Sequence, residues 1–318
     1  LPTPGPRRPL LSHARALFTD LEQHRPGEPD ALAEYVRVVR ENRKCATFGI
    51  ATGRRLDSAL AVMKRYGIPQ PDVLITCLGT EIHYAPQLTA DKAWTQHIDH
   101  LWYPRRVRSV LADVPGLTLQ QKSEQSRFKV SYFIDTEQAP AIEEISSLLH
   151  KADLSVNLVQ SFGSFLDVVP VRASKGLALR YFAHLWGIPV EHMLAAGGSG
   201  ADEGMMRGNT LAVVVANRHH EELSRLLELE RIYFAKQPYA AGILEAIDHY
   251  DFYRSCQVPA AKSPGAGSEE RVPAWARAFS GSRMESGPPG TPGRPASART
   301  GRAGAAARSR TCWKGYRG

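Results

Sequence analysis

The chain has 318 residues, 43% of them hydrophobic, enough for one large domain or two modest ones with a substantial core. No apolar run reaches the ~18 residues of a membrane-spanning helix, and Pro4 and Pro6 interrupt an opening stretch that has no long apolar centre, a poor secretory signal. The net charge of +8 is concentrated: residues 254–318 hold twelve Lys/Arg and three Glu, which leaves residues 1–253 near −1, so the basicity does not mark the folded part as a nucleic-acid binder.

Residues 1–12 read as a linker containing Pro2, Pro4, Pro6 and Pro9. From there strands and helices alternate. "RALFTD" (15–20) is a short apolar run ending in an acid, a buried strand. "PDALAEYVRVVRENR" has helical spacing with Asp30 near its start, "CATFGIATGR" is a second strand entering a glycine turn, and "RLDSALAVMKRYGIP" is a helix stopped by Gly67 and Pro69. "DVLITCLGTEIHY" is strand-like and interrupted at Gly79. The middle, 86–165, has another texture: "LTLQQ", "RFKVSYFID" and "LSVNLVQS" read as strands and "APAIEEISSLLHKA" as a helix, an α+β module with a sheet covered on one side. Alternation then resumes through "LDVVPV", "SKGLALRYFAHLWGIP", "HMLAAGG", "LAVVVAN", "HHEELSRLLEL", "RIYFA" and "YAAGILEAIDHY". The expected architecture is an α/β core in two pieces, 13–85 and 166–252, with an α+β cap, 86–165, inserted between them. Right-handed βα units give a largely parallel sheet whose ligands sit at the carboxyl ends of the strands. Residues 253–318, rich in Gly, Pro, Ala, Ser and Arg, are expected to be a disordered basic tail; an arginine- and glycine-rich nucleic-acid segment is the sharper but weaker reading. Cys45, Cys77, Cys256 and Cys312 form no CxxC pair, which argues against a zinc site or a disulfide scaffold and for free thiols in the cytoplasm.

Four residues carry chemistry. Asp20 ends the first strand, Thr52 ends the second in "GIATGR", Lys175 opens a helix in "RASKGLAL", and Asp202 follows the glycine-rich turn "AAGGSGADEGMMRGN". A lysine at a helix start opposes the helix dipole, which suits a bound anion, although a solvated lysine explains it as well. All but Lys175 belong at the same edge of one parallel sheet. Two carboxylates with a magnesium ion, one threonine and one lysine can neutralise a phosphoryl group while an aspartate attacks phosphorus.

The order strand–Asp, "ATGR", "SKG", "GGSGADEGM" resembles the haloacid dehalogenase-like phosphatases that carry a large cap after the second motif. "LGTEIHY", "RFKVSYFID", "FLDVVPVRASKG" and "GNTLAVVVANRHHEEL" narrow the likeness to the sucrose-phosphate phosphatase family, and most to the phosphatase-like C-terminal domain of bacterial sucrose-phosphate synthase. The likeness covers Ala14 to Phe252, and the Pro-rich start stands where a linker from a glycosyltransferase domain would lie. It implies Asp20 as nucleophile, Glu22 at the acid/base position, Thr52 and Lys175 as phosphate holders, and Mg²⁺ on Asp20, Glu22 and Asp202. Gly53, Arg54, Gly79, Thr80, Glu81, Lys129 and Asp167 would face the substrate, sucrose 6-phosphate or a related sugar phosphate. Neither membrane nor nucleic acid is an expected partner.

The chain departs from the family pattern at three positions. The first motif, D-x-D-x-T, reads "DLEQH": Glu22 is one methylene longer than aspartate, and His24 replaces threonine. The later G-D-S-x-x-D has Gly198 in place of its first aspartate, which removes one carboxylate from the metal site. Two functions therefore stand: a Mg²⁺-dependent sucrose-phosphate phosphatase working through an aspartyl-phosphate, and a catalytically weakened sugar-phosphate-binding or docking domain of a sucrose-phosphate synthase. Dinucleotide binding is disfavoured, because "GGSG" lies late and no GxGxxG follows the first strand.

Overall fold

A computed structural model of the chain describes residues 14–24, 29–219, 223, 226 and 231–254. The linker at 1–12, most of "HHEELSRLLEL" and the basic tail beyond 254 lie outside the described residues.

The core sheet has eight strands in the order β12-β11-β10-β1-β2-β3-β4-β5: β1 (Arg15–Asp20), β2 (Ala46–Ala51), β3 (Val73–Thr76), β4 (Glu81–Tyr84), β5 (Thr89–Ala90), β10 (Met193–Gly197), β11 (Leu211–Val214) and β12 (Ile232–Phe234). β1 pairs in parallel with β2 and β10, and the parallel set extends to β3, β11 and β12; β4 and β5 close one edge antiparallel. The central strand β1 is covered on both faces, which is why it reads as an almost unbroken apolar run. Ala16 and Phe18 pack on the side of α6 (Lys175–Trp186), while Leu17 packs on the side of α1 (Pro29–Glu41), α2 (Leu56–Tyr66) and α8 (Tyr239–His249).

The cap sheet is antiparallel throughout, in the order β6-β7-β9-β8, from β6 (Leu117–Leu119), β7 (Val130–Ile134), β8 (Val156–Ser161) and β9 (Phe165–Pro170). One face buries Val130, Tyr132, Ile134, Leu166 and Val168 with Val107, Leu111, Ile145 and Leu149 of α4 (Pro104–Leu111) and α5 (Ile142–Lys151). α3 (Lys92–Ile98) follows β5, capped by the Asp91 carboxylate on the Trp94 amide.

Three expectations change. "FLDVVP", assigned from Leu166 onward to the returning core, is β9 of the cap: Ser161, Phe162 and Gly163 turn the chain back so that Phe165 pairs with both Ser161 and Phe133. A short apolar run looks the same in a parallel core and in a covered antiparallel sheet, so the chain re-enters the core only after Pro170. At the other boundary, β5 keeps the core sheet going to Ala90, past 86. Cys77 is free and buried, but Cys45 is disulfide-bonded, which corrects the expectation of free thiols at that position. Among the described residues no helix is long and apolar enough to cross a membrane.

Candidate active site

Parallel pairing sets the site. Asp20 is in register with Ala51, and Thr19 with Ala196, so Asp20, Thr52 and the turn after β10 share one sheet edge. Lys175 arrives from the opposite direction as the first residue of α6, whose N-cap Ser174 accepts from the Leu177 amide at 3.0 Å. Two close approaches hold α6 against this edge. Gly79, at φ +89, lies where a Cβ would meet the Ser174 carbonyl at 2.2 Å, and a Cβ on Gly176 would meet the Gly204 carbonyl oxygen of α7 (Glu203–Met206) at 2.1 Å.

The result is a buried charge cluster. Lys175 Nζ donates to Asp20 Oδ1 at 2.8 Å and to Asp202 Oδ1 at 2.7 Å, and all three residues are 2% exposed or less. The second oxygen of Asp202 accepts from the amides of Gly198 and Ser199 and from Ser199 Oγ, each at 3.0 Å. This is a capping box that pins the turn leading into α7. Burial pushes the Asp20 carboxyl up; the Lys175 ammonium pulls it down, and the Asp202 and Glu22 carboxylates push it up again, leaving it above an ordinary aspartate. Burial alone would lower Lys175, but the two carboxylates outweigh it and the ammonium is held charged.

Thr52 is fully buried and its Oγ1 accepts the Arg54 amide at 3.1 Å, bending the loop after β2. Arg54 Nε donates to Glu22 Oε1 at 2.5 Å, and its Nη1 to Ser58 Oγ at 3.2 Å. Glu22 thus stands beside Asp20 yet is engaged by Arg54. His24 is buried: its ring lies 3.3 Å from Thr19 Oγ1 and from the Leu21 carbonyl, and 5.0 Å from the Tyr35 ring. Burial pushes its imidazole down to about 4, so it packs as a neutral ring where the family pattern has threonine.

The remaining expected substrate residues fall into two groups. Gly53 and Gly79–Glu81 line the loops after β2 and β3; Thr80 Oγ1 donates to the Cys77 carbonyl, and Glu81 accepts from Thr76 Oγ1 at 2.9 Å. Lys129 and Asp167 belong to the cap, where Lys129 Nζ donates to Asp167 Oδ1 at 3.2 Å and to Ser131 Oγ at 2.8 Å. Glu81 and Arg55–Asp57 of the core and Ser126–Arg127 of the cap line a cavity of about 530 Å³. Sequence reasoning missed Ser199, whose S-x-x-D spacing to Asp202 was a legible signal, and Ser131, which had none.

A magnesium site needs one or two carboxylates, with phosphate oxygens and water completing the octahedron. Asp20 and Asp202, both buried and joined through one ammonium, fit that minimum. Among the described residues no group of three or more His, Cys, Asp or Glu gathers as a metal centre. A Cβ on Gly198 would stand 3.0 Å from Val215 Cγ2 and 3.1 Å from Gln23 Nε2. The space beside the missing carboxylate is therefore tightly filled.

An α/β sheet with a buried aspartate at its central strand end, a lysine bonded to that aspartate and an inserted cap is the arrangement of a haloacid dehalogenase-like phosphoric monoester hydrolase. The family profile described as sucrose-6F-phosphate phosphohydrolase matches residues 13–251. The chain belongs to this family. Mannosylfructose-phosphate phosphatase of Agrobacterium fabrum is 29% identical over 241 residues, 74% of this chain and 96% of that protein. Sucrose-phosphatase 1 of Nicotiana tabacum is 30% identical over 76% of this chain and 60% of its own length; the chain spans about half the length of the Arabidopsis thaliana relatives it matches. The sucrose-phosphatase of Synechocystis, solved in complex with sucrose and phosphate, superposes with a TM-score of 0.71 at 28% identity, over 75% of this chain and 98% of that one. A haloacid dehalogenase-like hydrolase of Bacillus subtilis, 18% identical with a TM-score of 0.53 over 76% and 93% of the two chains, shares the fold.

Proposed function

We propose that the chain hydrolyses sucrose 6-phosphate, or a related disaccharide phosphate, through an aspartyl-phosphate on Asp20. The observation that carries this reading is the buried Asp20–Lys175–Asp202 cluster at the carboxyl edge of the sheet. Asp20 attacks phosphorus and the bond from phosphorus to the sugar oxygen breaks, with Glu22 giving that oxygen its proton. Glu22 then takes a proton from water, which attacks phosphorus, frees Asp20 and releases phosphate. Lys175 and Thr52 neutralise and orient the phosphoryl oxygens. Gly53, Arg54 and Gly79–Glu81 border the ester, and Lys129 and Asp167 meet sugar hydroxyls from the cap. Asp20 and Asp202 would hold Mg²⁺, which neutralises phosphate charge when bound. Glu22, though expected as a third ligand, has Arg54 as its partner instead. The relatives named for sucrose phosphate and mannosylfructose phosphate support a disaccharide ester.

A second reading, a sugar-phosphate-binding or docking domain beside a sucrose-phosphate synthase, is favoured by the tie between Glu22 and Arg54 and by Gly198. Phosphate release from sucrose 6-phosphate with Mg²⁺ separates the two. The phosphatase reading expects turnover that falls about a thousandfold or more in Asp20→Asn. Ligand binding seen by calorimetry without any release supports the second reading, and release that persists in Asp20→Asn excludes the proposed mechanism.

A further inference from the structure

Arg55 follows the Thr52–Arg54 loop directly and stands at the N-cap position of α2, where its side chain makes no capping hydrogen bond and is left to reach elsewhere. Its Nη1 donates across to the cap, to the Ser123 carbonyl at 3.2 Å and the Gln125 carbonyl at 3.4 Å. Its Nε lies 3.5 Å from Asp57 Oδ1, which steadies the other side of the guanidinium. A planar fork with five donors can serve an acid and two carbonyls together; an ammonium on a flexible stem cannot hold that geometry.

The accepting turn is wired into the cap sheet. Gln125 Nε2 donates to the Gln120 and Ser131 carbonyls at 3.0 and 2.9 Å, and Gln125 Oε1 accepts the Ser131 amide at 2.9 Å. Ser131 Oγ in turn donates to Asp167 Oδ1 at 2.5 Å, beside Lys129. An unbroken run of hydrogen bonds thus links the loop that holds Thr52 and Arg54 to the buried Lys129–Ser131–Asp167 cluster of the cap. On its core side, Arg54 grips Glu22.

We infer that Arg55 is a positioning residue that latches the cap to the core, aligning the Lys129–Ser131–Asp167 cluster over the phosphate loop. The latch favours esters whose alcohol is large enough to reach the cap. The activity consequence rests on the phosphatase reading; the latch itself does not. Arg55 also stands on the wall of the cavity between core and cap, so its effect on a ligand could come from direct contact, and the first measurement is made without ligand.

Amide hydrogen exchange of the ligand-free full chain is compared for wild type, Arg55→Ala and Arg55→Lys. Peptides covering 120–127 should exchange about tenfold faster in Arg55→Ala, the effect of losing one exposed anchoring interaction, with Arg55→Lys between. Unchanged exchange there overturns the latch, whether or not the chain hydrolyses anything. In steady state, KM for sucrose 6-phosphate should rise about tenfold in Arg55→Ala while kcat/KM for p-nitrophenyl phosphate stays within about twofold. Equal losses on both esters, with the melting temperature unchanged, overturn the positioning role. A wild type inactive on both esters removes the phosphatase reading and leaves the exchange result to decide the latch. Should Arg55→Ala fail to fold, Arg55→Lys decides, since its expected exchange already exceeds that of the wild type.

Discussion

Asp20 owes its place to a strand end; burial raises its carboxyl and the Lys175 ammonium pulls the other way. A carboxylate at the tip of β1 could have been a simple turn residue; instead the Lys175 ammonium bonds both Asp20 and Asp202, with all three buried. These positions were legible because each stands at a break between an apolar run and a polar turn. The partners were not: nothing in the spacing says that Arg54 takes Glu22, or that Ser131 lies under Asp167. His24 shows the limit most clearly: the sequence marks it only as a departure from threonine, and it folds as a buried ring. Its depressed value has a consequence. An imidazole near 6.5 when unfolded and about 4 when folded binds more protons in the unfolded chain between those values. The stability it contributes is therefore complete above pH 6.5 and is lost as pH falls toward 4. Urea unfolding of wild type and His24→Asn at pH 7 and pH 5 should show the wild type losing about 2 kcal/mol more than the variant over that step. Equal losses would mean that the ring is accessible to protons in the folded protein.

Helices with a long, clean period, α1, α2, α6 and α8, each announce a buried face, and β1 announces itself as a short apolar run. Those missed, α3 and α4, are seven and eight residues long and offer too few turns for a pattern to emerge. β9 was placed in the wrong domain, because burial and not pairing shows in its sequence; only the turn at Phe162 and Gly163, both at positive φ, sends it back along β8. Joining α6 to the site depends on contacts too close for any side chain. The carbonyl oxygen that a Cβ on Gly176 would meet belongs to backbone and cannot swing aside. Gly176→Ala should therefore push α6 from α7, lowering unfolding free energy by about 2 kcal/mol in urea titration and loosening the Lys175–Asp202 bond with it. Wild-type stability in that variant would show that the two helices have slack.

At the scale of the whole molecule the cap and core are separate sheets that meet over a charged cleft, and the family resemblance was visible from seven separated segments in the right order. The departures in those same motifs, Glu22 and Gly198, are where sequence and geometry need each other. Their identities signal a weakened site, while the structure joins Asp20, Lys175 and Asp202 in one buried cluster and fills the space next to Gly198 with Gln23 and Val215. Acid-quenched turnover of sucrose 6-phosphate with Mg²⁺, followed by peptide mass mapping, shows whether Asp20 accepts the phosphoryl group. A peptide spanning residues 15–24 that carries one added phosphoryl group on Asp20, absent in Asp20→Asn, is the expected result. Phosphate released with Asp20 never modified, and at the same rate in Asp20→Asn, would contradict it.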